Sequence, residues 1–511
     1  MSNPRREPLP RALYRAQQVR ELDRAAIEDH GIPGLTLMER AGCCAFQVLR
    51  ERWPHARRMA VFCGLGNNGG DGYVLARLAH AAGLEPTLVQ LGDPARIRGD
   101  ARTMRERLTG VAITVQALQE FQLGQHDLLV DGLLGTGLDR PVEGELAAAI
   151  DCIHRSGLPV FALDIPSGLH ADTGRVLGTA VRAAATVTFV GLKQGMFTLD
   201  GPDHCGALYF DTLGVPEQAY RRVPPSALRV GVSDRRHLLS PRPRHAHKGC
   251  FGHVLIVGGN TGYAGAARLA GEAALRSGAG LVSVATRAVH ATLLAGARPE
   301  LMCHPVETRE ALRALAARAD VIAIGPGLGR SRWSNEMLAA TLELQRPLVA
   351  DADALNLLAA EPCRREDWVL TPHPGEAARL LATPIAEING DRFRAVQALQ
   401  AQFGGTAILK GNGTLIASGA GPIELCEAGN PGMASGGMGD CLTGIIAALL
   451  AQGLSAADAA CLGVSLHAES GDLAAAQLGA RGLLASDLLG PLQRLVNPSL
   501  VTSGDMGSDT L

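Results

Sequence analysis

A chain of 511 residues with 47% hydrophobic and 19% charged side chains has apolar surface for more than one core, which excludes a disordered protein and predicts two or three domains. Lys and Arg total 48 against 50 Asp and Glu, so no global basic field recruits nucleic acid or an anionic membrane, and a small molecule is the expected partner. Eleven cysteines, an odd number without a Cys-x-x-Cys pair, read as reduced thiols of a cytoplasmic protein rather than a disulfide framework. Met1 to Pro10 is polar and proline-rich, so no secretory signal is expected. The longest apolar stretch, Ile445 to Ala451, falls far below the roughly 20 residues a membrane helix needs.

Residues 14 to 30 and about 36 to 52 carry helical apolar spacing. Met59 to Cys63 reads as a buried strand that empties into Gly64-Leu-Gly-Asn-Asn-Gly-Gly-Asp-Gly72, with a helix following to about Ala82. Thr87 to Leu91, Asp127 to Val130, Pro159 to Leu163 and Thr186 to Val190 are further strands with helical patterns between several of them, which predicts a three-layer α/β domain on a parallel sheet. Gly64-x-Gly66-x-x-Gly69 formally matches the dinucleotide fingerprint, with Asp93 near the distance at which a carboxylate meets a ribose, so a dehydrogenase is the alternative. Against it, Asn67, Asn68 and Asp71 crowd the loop with side-chain oxygens and amides where the fingerprint needs only backbone. Two later strand ends are similarly polar: Val130 to Pro141, and Leu163-Asp-Ile-Pro-Ser-Gly168. Loops at the carboxyl ends of a doubly wound sheet share one crevice, so Asn68, Asp131, Asp164 and Ser167 are expected to converge.

The proline- and arginine-rich run from Arg221 to Lys248 predicts a linker and a boundary near residue 225. Beyond it, Val254 to Val257, Leu281 to Ala285, Val321 to Ile324, Leu348 to Val349, Val369 to Leu370 and Thr406 to Leu409 alternate with helices, predicting a second α/β domain. Near its end, Asn430 to Gly444 combines glycines 436, 437 and 439 with an apolar run from Leu442 to Leu450, which reads as a helix starting at Asp440. Unpaired amides at such a helix start attract phosphate, and an aspartate there can take a proton from a hydroxyl about to meet phosphorus. Residues 498 to 511 are expected to fray.

Gly-x-Gly-Asp before a buried helix resembles the ribokinase-like superfamily, and Ala434 to Asp440 most resembles the dehydratases that repair hydrated NADH and NADPH. Tyr263 to Ala266, Gly325 to Gly329, Asp351 to Asn356, Thr371-Pro-His-Pro-Gly-Glu376 and Lys410 to Thr414 carry the same resemblance in order. In the first half, Asn67 to Gly72, Asp131 to Gly137, Asp164 to Gly168 and Gly191 to Gly195 resemble the NAD(P)H-hydrate epimerase family over roughly residues 14 to 220. Together they imply a Rossmann-like αβα sandwich at residues 1–225 joined to a ribokinase-like domain at 226–511.

The epimerase resemblance implies that Asn67, Asn68, Gly69, Gly70, Asp71, Gly135, Thr136, Gly137, Leu138, Asp139, Arg140, Pro141 and Asp164 bind the hydrated dinucleotide. It also implies that Asn68, Asp131 and Ser167, all oxygen donors, hold potassium. Asp164 is the expected catalytic proton carrier, with potassium and Lys193 tuning the local charge, or Lys193 serving instead as a structural or rim lysine. The dehydratase resemblance places substrate against Ala266, Gly327, His373 and Asp440, and ADP or ATP along Lys410, Gly411, Asn412, Gly413, Thr414 and Gly439. Asp440 is the expected base, and magnesium is expected with the nucleotide, near Asp351 and Glu376. A homo-oligomer is the expected assembly. The alternatives are a small-molecule kinase such as a hydroxymethylpyrimidine or hydroxyethylthiazole kinase joined to a binding domain, and a nucleotide sensor without turnover.

Overall fold

The computed structural model describes residues 9–497 apart from 123 and 420, so the tail expected to fray and most of the first ten residues lie outside the described residues. The chain divides into two compact units, Met1–Leu228 and Arg229–Leu511.

The first unit contains β1 (Ala12–Tyr14), β2 (Arg58–Cys63), β3 (Glu85–Gln90), β4 (Thr114–Ala117), β5 (Leu128–Gly132), β6 (Val160–Leu163), β7 (Ala185–Phe189), β8 (Leu192–Lys193) and β9 (Ala207–Asp211). Seven of these form one sheet in the order β4-β3-β2-β5-β6-β7-β9, every neighbouring pair parallel. Alternation along β2 explains the layering: Met59, Val61 and Cys63 pack into one core with Leu37, Leu49 and Leu75, whereas Ala60 and Phe62 pack into another with Ile150 and Ile153. Both faces are therefore covered, the requirement of a parallel sheet. β1 stands apart, pairing in parallel with β8 and antiparallel with β10 (Ala227–Arg229). Because Tyr14 belongs to β1, the first helix is Ala16–Glu28 rather than beginning at 14, and the second starts at Gly34. Asn67 to Gly72 is not a loop either. Gly66 is the N-cap, and these residues make the opening turns of helix Asn67–Ala81.

The second unit contains β11 (His253–Val257), β12 (Leu281–Thr286), β13 (Met302–Pro305), β14 (Val321–Ile324), β15 (Leu348–Ala350), β16 (Trp368–Leu370), β17 (Thr406–Leu409), β18 (Thr414–Ala417) and β19 (Ile423–Cys426). The order is β13-β12-β11-β14-β15-β16-β17-β18-β19, parallel as far as β17 and antiparallel beyond. Val254, Ile256, Val282 and Val284 pack one face against helices Ala264–Arg276, Met438–Ala451 and Ala456–Leu478. The helix expected to begin at Asp440 begins at Met438. Its N-cap is Gly437, at φ 92°, a left-handed conformation that glycine adopts without strain, so Asp440 lies in the first turn.

Candidate functional sites

In the first unit, parallel pairing aligns the carboxyl ends of β2, β5 and β6, with Phe62 opposite Asp131 and Asp131 opposite Ala162. Fully buried Asp131 accepts the Ser167 hydroxyl at 2.6 Å and the Ser167 and Leu133 amides at 2.8 and 3.2 Å. Burial pushes its carboxyl up to about 6, and the Ser167 bonds oppose that rise. The Leu134 peptide is held at both ends: its amide donates to Ser167 Oγ at 2.9 Å, and its carbonyl accepts Asn68 Nδ2 at 2.8 Å. Asn68 Oδ1 is buried and has no hydrogen-bond partner. Burying an unmatched acceptor is costly, so a group that would use it is sought.

Asp164 follows β6 at φ 62°, in the left-handed region, where Asp and Asn are the commonest side-chain-bearing residues. Its Oδ1 accepts the Lys193 ammonium, and its side chain is 18% exposed. Lys193, the expected rim lysine on one reading, is instead fully buried and also donates to Thr188 Oγ1 at 2.8 Å and the Phe189 carbonyl at 3.0 Å. A Cβ on Gly135 would lie 3.5 Å from Asn68 Cβ and 3.7 Å from Asp164 Oδ2, so Asn68, the Gly135 loop and Asp164 meet.

Asn68, the Gly135 loop and Asp164 help wall a cavity of about 1190 Å³, just above the usual range of small-molecule sites and roomy enough for a dinucleotide. Asn67, Asn68, Asp71, Asp164 and every residue from Gly135 to Pro141 line it. Gly69 and Gly70 do not: a Cβ on Gly69 would meet the Gly64 carbonyl at 2.3 Å, and one on Gly70 would meet Met38 Sδ at 2.6 Å, so both serve packing. Asp93 is also absent from the lining and caps a short turn through the Ala95 amide at 2.9 Å, which removes the ribose contact a dehydrogenase would need. Asp23 lines the cavity from helix Ala16–Glu28, and sequence reasoning missed it. Val190 lines it too, at φ 64°, a strained conformation for a β-branched residue, with its carbonyl held by Tyr220 Oη at 2.7 Å.

The second unit's site is organised by Asp351, buried at the end of β15. Its Oδ1 accepts Lys410 Nζ and Thr371 Oγ1, both at 2.7 Å, and its Oδ2 accepts Thr443 Oγ1 at 2.9 Å. The Lys410 ammonium and these hydroxyls hold the carboxyl below its usual range against the opposing effect of burial. A Cβ on Gly439 would lie 3.2 Å from Lys410 Nζ and 3.3 Å from Asp351 Oδ2, which places the helix start on this pair. Asp440 is pushed up to about 7, first by burial and then by the charges of Asp351 and Asp353, with Lys410 pulling it down.

His373 and Glu376 cap each other at the start of helix Pro374–Leu380. His373 Nδ1 accepts the Gly375 and Glu376 amides at 3.0 and 3.3 Å, and Glu376 Oε2 accepts the His373 amide at 2.8 Å. Burial and the Lys410 charge lower the imidazole's pKa, so it is neutral near pH 7 with its proton on Nε2. Gly327, at φ 58°, adjoins Ala266: a Cβ there would lie 3.1 Å from Ala266 Cβ. That loop connects toward Asp440 through Asp353, whose Oδ2 accepts the Gly329 amide at 2.9 Å. Arg392, also missed from sequence, is buried and donates to the carbonyls of Leu409, Lys410 and Gly413, fixing both ends of the Lys410 to Thr414 loop. Asp351 has both oxygens hydrogen-bonded and Glu376 caps its own helix, so each of these carboxylates already has protein partners. No cluster of three or more His, Cys, Asp or Glu that could hold a metal occurs among the described residues.

Two family models match the chain, one described as YjeF-related protein N-terminus over residues 34–195 and one as NAD(P)H-hydrate dehydratase over residues 254–494. A bifunctional NAD(P)H-hydrate repair enzyme Nnr of Coxiella burnetii is 48% identical over 95% of this chain and 99% of its own length. Its Escherichia coli counterpart is 44% identical over 96% and 95%. A solved ADP/ATP-dependent NAD(P)H-hydrate dehydratase from Bacillus subtilis, co-crystallized with ATP/Mg2+, is 30% identical over 51% of this chain and 95% of that one, with a TM-score of 0.46.

Proposed function

The chain belongs to the family of bifunctional NAD(P)H-hydrate repair enzymes, and from that premise we propose how its parts divide the work. It is an NAD(P)H-hydrate epimerase and an ADP/ATP-dependent NAD(P)H-hydrate dehydratase in one chain. Residues 1–225 interconvert the R and S hydrates, and residues 226–511 dehydrate the S hydrate. The observation that carries the first assignment is the single cavity shared by Asn67, Asn68, Asp71, the Gly135 to Pro141 loop and Asp164.

The hydrate bears a hydroxyl at C6 of its reduced nicotinamide ring. Inverting C6 requires that hydroxyl to depart and an oxygen to return on the other face, helped by the enamine nitrogen. Asp164 is the proton carrier: Lys193 takes Oδ1, and Oδ2 faces the Gly135 loop. Potassium is supported by Asn68 Oδ1, a buried acceptor without a partner, with Asp131 and Ser167, which hydrogen-bond each other, as the further oxygen donors beside it. Potassium would supply positive charge beside the substrate loop.

Hydroxide is a poor leaving group, and phosphorylation of the C6 hydroxyl makes its loss feasible. Asp440 takes the hydroxyl proton as the oxygen attacks the terminal phosphorus of ADP or ATP, and the amides opening helix Met438–Ala451 together with Lys410 stabilise the transferring phosphoryl. That transfer breaks the bridging P–O bond and releases AMP from ADP or ADP from ATP; the phosphate ester then breaks its C6–O bond and C5 releases a proton, giving NAD(P)H and phosphate. Ala266, Gly327 and His373 bind the substrate, and Lys410 to Thr414 with Gly439 bind the nucleotide. Magnesium would accompany the nucleotide phosphates and offset their charge. The setting is cytoplasmic, and the assembly is a homo-oligomer. Incubation of the purified chain with hydrated NADH and ADP or ATP should restore NADH absorbance in step with phosphate release, and no recovery with either nucleotide would overturn the assignment.

A further inference from the structure

Seven carboxylates line the cavity of the first unit; Asp139, Glu143 and Glu145 are exposed, and of the others Asp23, Asp71 and Asp164 lie close enough to feel one another's charge without being equivalent. Asp164 is paired with Lys193, whereas the side chains of Asp23 and Asp71 have no hydrogen bond or ion pair with any described residue. A carboxylate that is buried, as Asp71 is, or half-buried, as Asp23 is, costs free energy when it has no partner and is a mark of functional sites. Asp71 belongs to the segment already given to the substrate. Asp23 belongs to none. Val19 and Ile27, one helical turn to either side of it, line the same cavity, so one face of helix Ala16–Glu28 forms a wall of its own. That helix is a different element from the strand end that carries Asp164.

Epimerisation imposes a proton balance on two ring faces. As the C6–O bond breaks, the N1 lone pair forms C6=N1 and the departing oxygen takes a proton to leave as water. Water then adds to the opposite face, the new C6–O bond returns the electron pair to N1, and the incoming oxygen gives up a proton. One proton is donated, one is accepted, and the product is an isomer of the substrate. We propose that Asp23 is the second proton-transfer group of the epimerase, serving the ring face opposite the one served by Asp164. For one hydrate Asp23 donates and Asp164 accepts, and for the other the roles exchange, so each turnover in one direction leaves the pair set for the other and exchange with water resets it. Burial pushes the Asp23 carboxyl up to about 6, offset by Lys193 and reinforced by Asp164, so it keeps a proton where an exposed aspartate would not. The proposal rests on the reading of the first unit as an epimerase.

The test uses the full chain and the R hydrate of NADH without nucleotide, so that no dehydration occurs, with R and S separated by chromatography and the enzyme-free rate subtracted. Asp23→Asn should lower kcat about 10²-fold or more while KM stays within about threefold, the signature of a lost proton transfer. Asp23→Glu, which keeps the acid on a longer stem, should run at least about tenfold faster than Asp23→Asn. The inference is overturned if Asp23→Asn keeps more than about a third of kcat, if the whole loss falls on KM, or if the Glu variant is no faster than the Asn variant. A wild-type chain that does not interconvert the hydrates would instead overturn the epimerase reading, and this inference with it.

Discussion

Asp440→Asn should make the protein more stable and its dehydratase nearly inactive, and the stability gain should depend on pH. The folded carboxyl sits at about 7, against an ordinary aspartate value near 3.9 in the unfolded chain. Below about pH 3.9 both states hold the proton and the charge costs nothing. As pH rises toward 7 the unfolded chain ionises first, so stability falls by about 1.4 kcal/mol per pH unit, and above 7 the penalty levels off near 4 kcal/mol. Contact with water and coupling to Lys410 and Asp351 reduce it to roughly 1–4 kcal/mol. Asparagine removes the charge at nearly constant shape. Melting curves should therefore show the variant ahead of wild type by several degrees at pH 8.5 and by little at pH 4.5, at about 2–4 °C per kcal/mol for a unit of this size. Dehydration of the S hydrate should drop about 10²–10⁴-fold, and the wild-type rate should decline tenfold per unit below about pH 7 as the base becomes protonated. A variant that melts below wild type at pH 8.5, or whose advantage is the same at both pH values, would refute the account of Asp440 as a base held at energetic cost.

Asp164→Asn should leave dehydration of pure S hydrate intact and stall the R hydrate at its spontaneous rate of epimerisation. Mixed with Asp440→Asn it should restore full conversion by diffusion of the hydrate, and failure to complement would show that the halves are not independent catalysts. Replacing potassium with lithium should weaken hydrate binding to the epimerase unit, and Asn68→Ala should abolish that cation dependence; indifference to the cation in wild type would leave Asn68, Asp131 and Ser167 as turn residues.

Short uninterrupted apolar runs that empty into glycine-rich stretches made most of both parallel sheets legible, because a strand buried on two faces reads as a continuous apolar segment. The antiparallel pair β18 and β19 escaped notice, because Thr414 reads as the end of the Lys410 to Thr414 loop and Glu424 interrupts the apolar run of the second strand. Asn67 to Gly72 reads as a loop because two asparagines and three glycines are poor helix formers; tertiary packing overrides that preference, with Gly69 pressed against the Gly64 carbonyl. Asp23 was invisible for a different reason. On an amphipathic helix an aspartate normally marks the watered face, and only the fold shows that this face borders a cavity. Lys193 and Arg392 follow the same rule: their burial is set by partners distant in sequence, Asp164 for one and the carbonyls around Lys410 for the other.

The backbone at Asp164 constrains how this protein can drift. At φ 62° the residues that fold there with little strain are Gly, Asn and Asp, and of these only Asp carries a titratable group. The substitutions the backbone accepts are thus the ones that silence proton transfer, and both also strip the buried Lys193 ammonium of its carboxylate. Backbone and ion pair together therefore hold this position to Asp, so that screening for folding alone should retain the proton carrier as well.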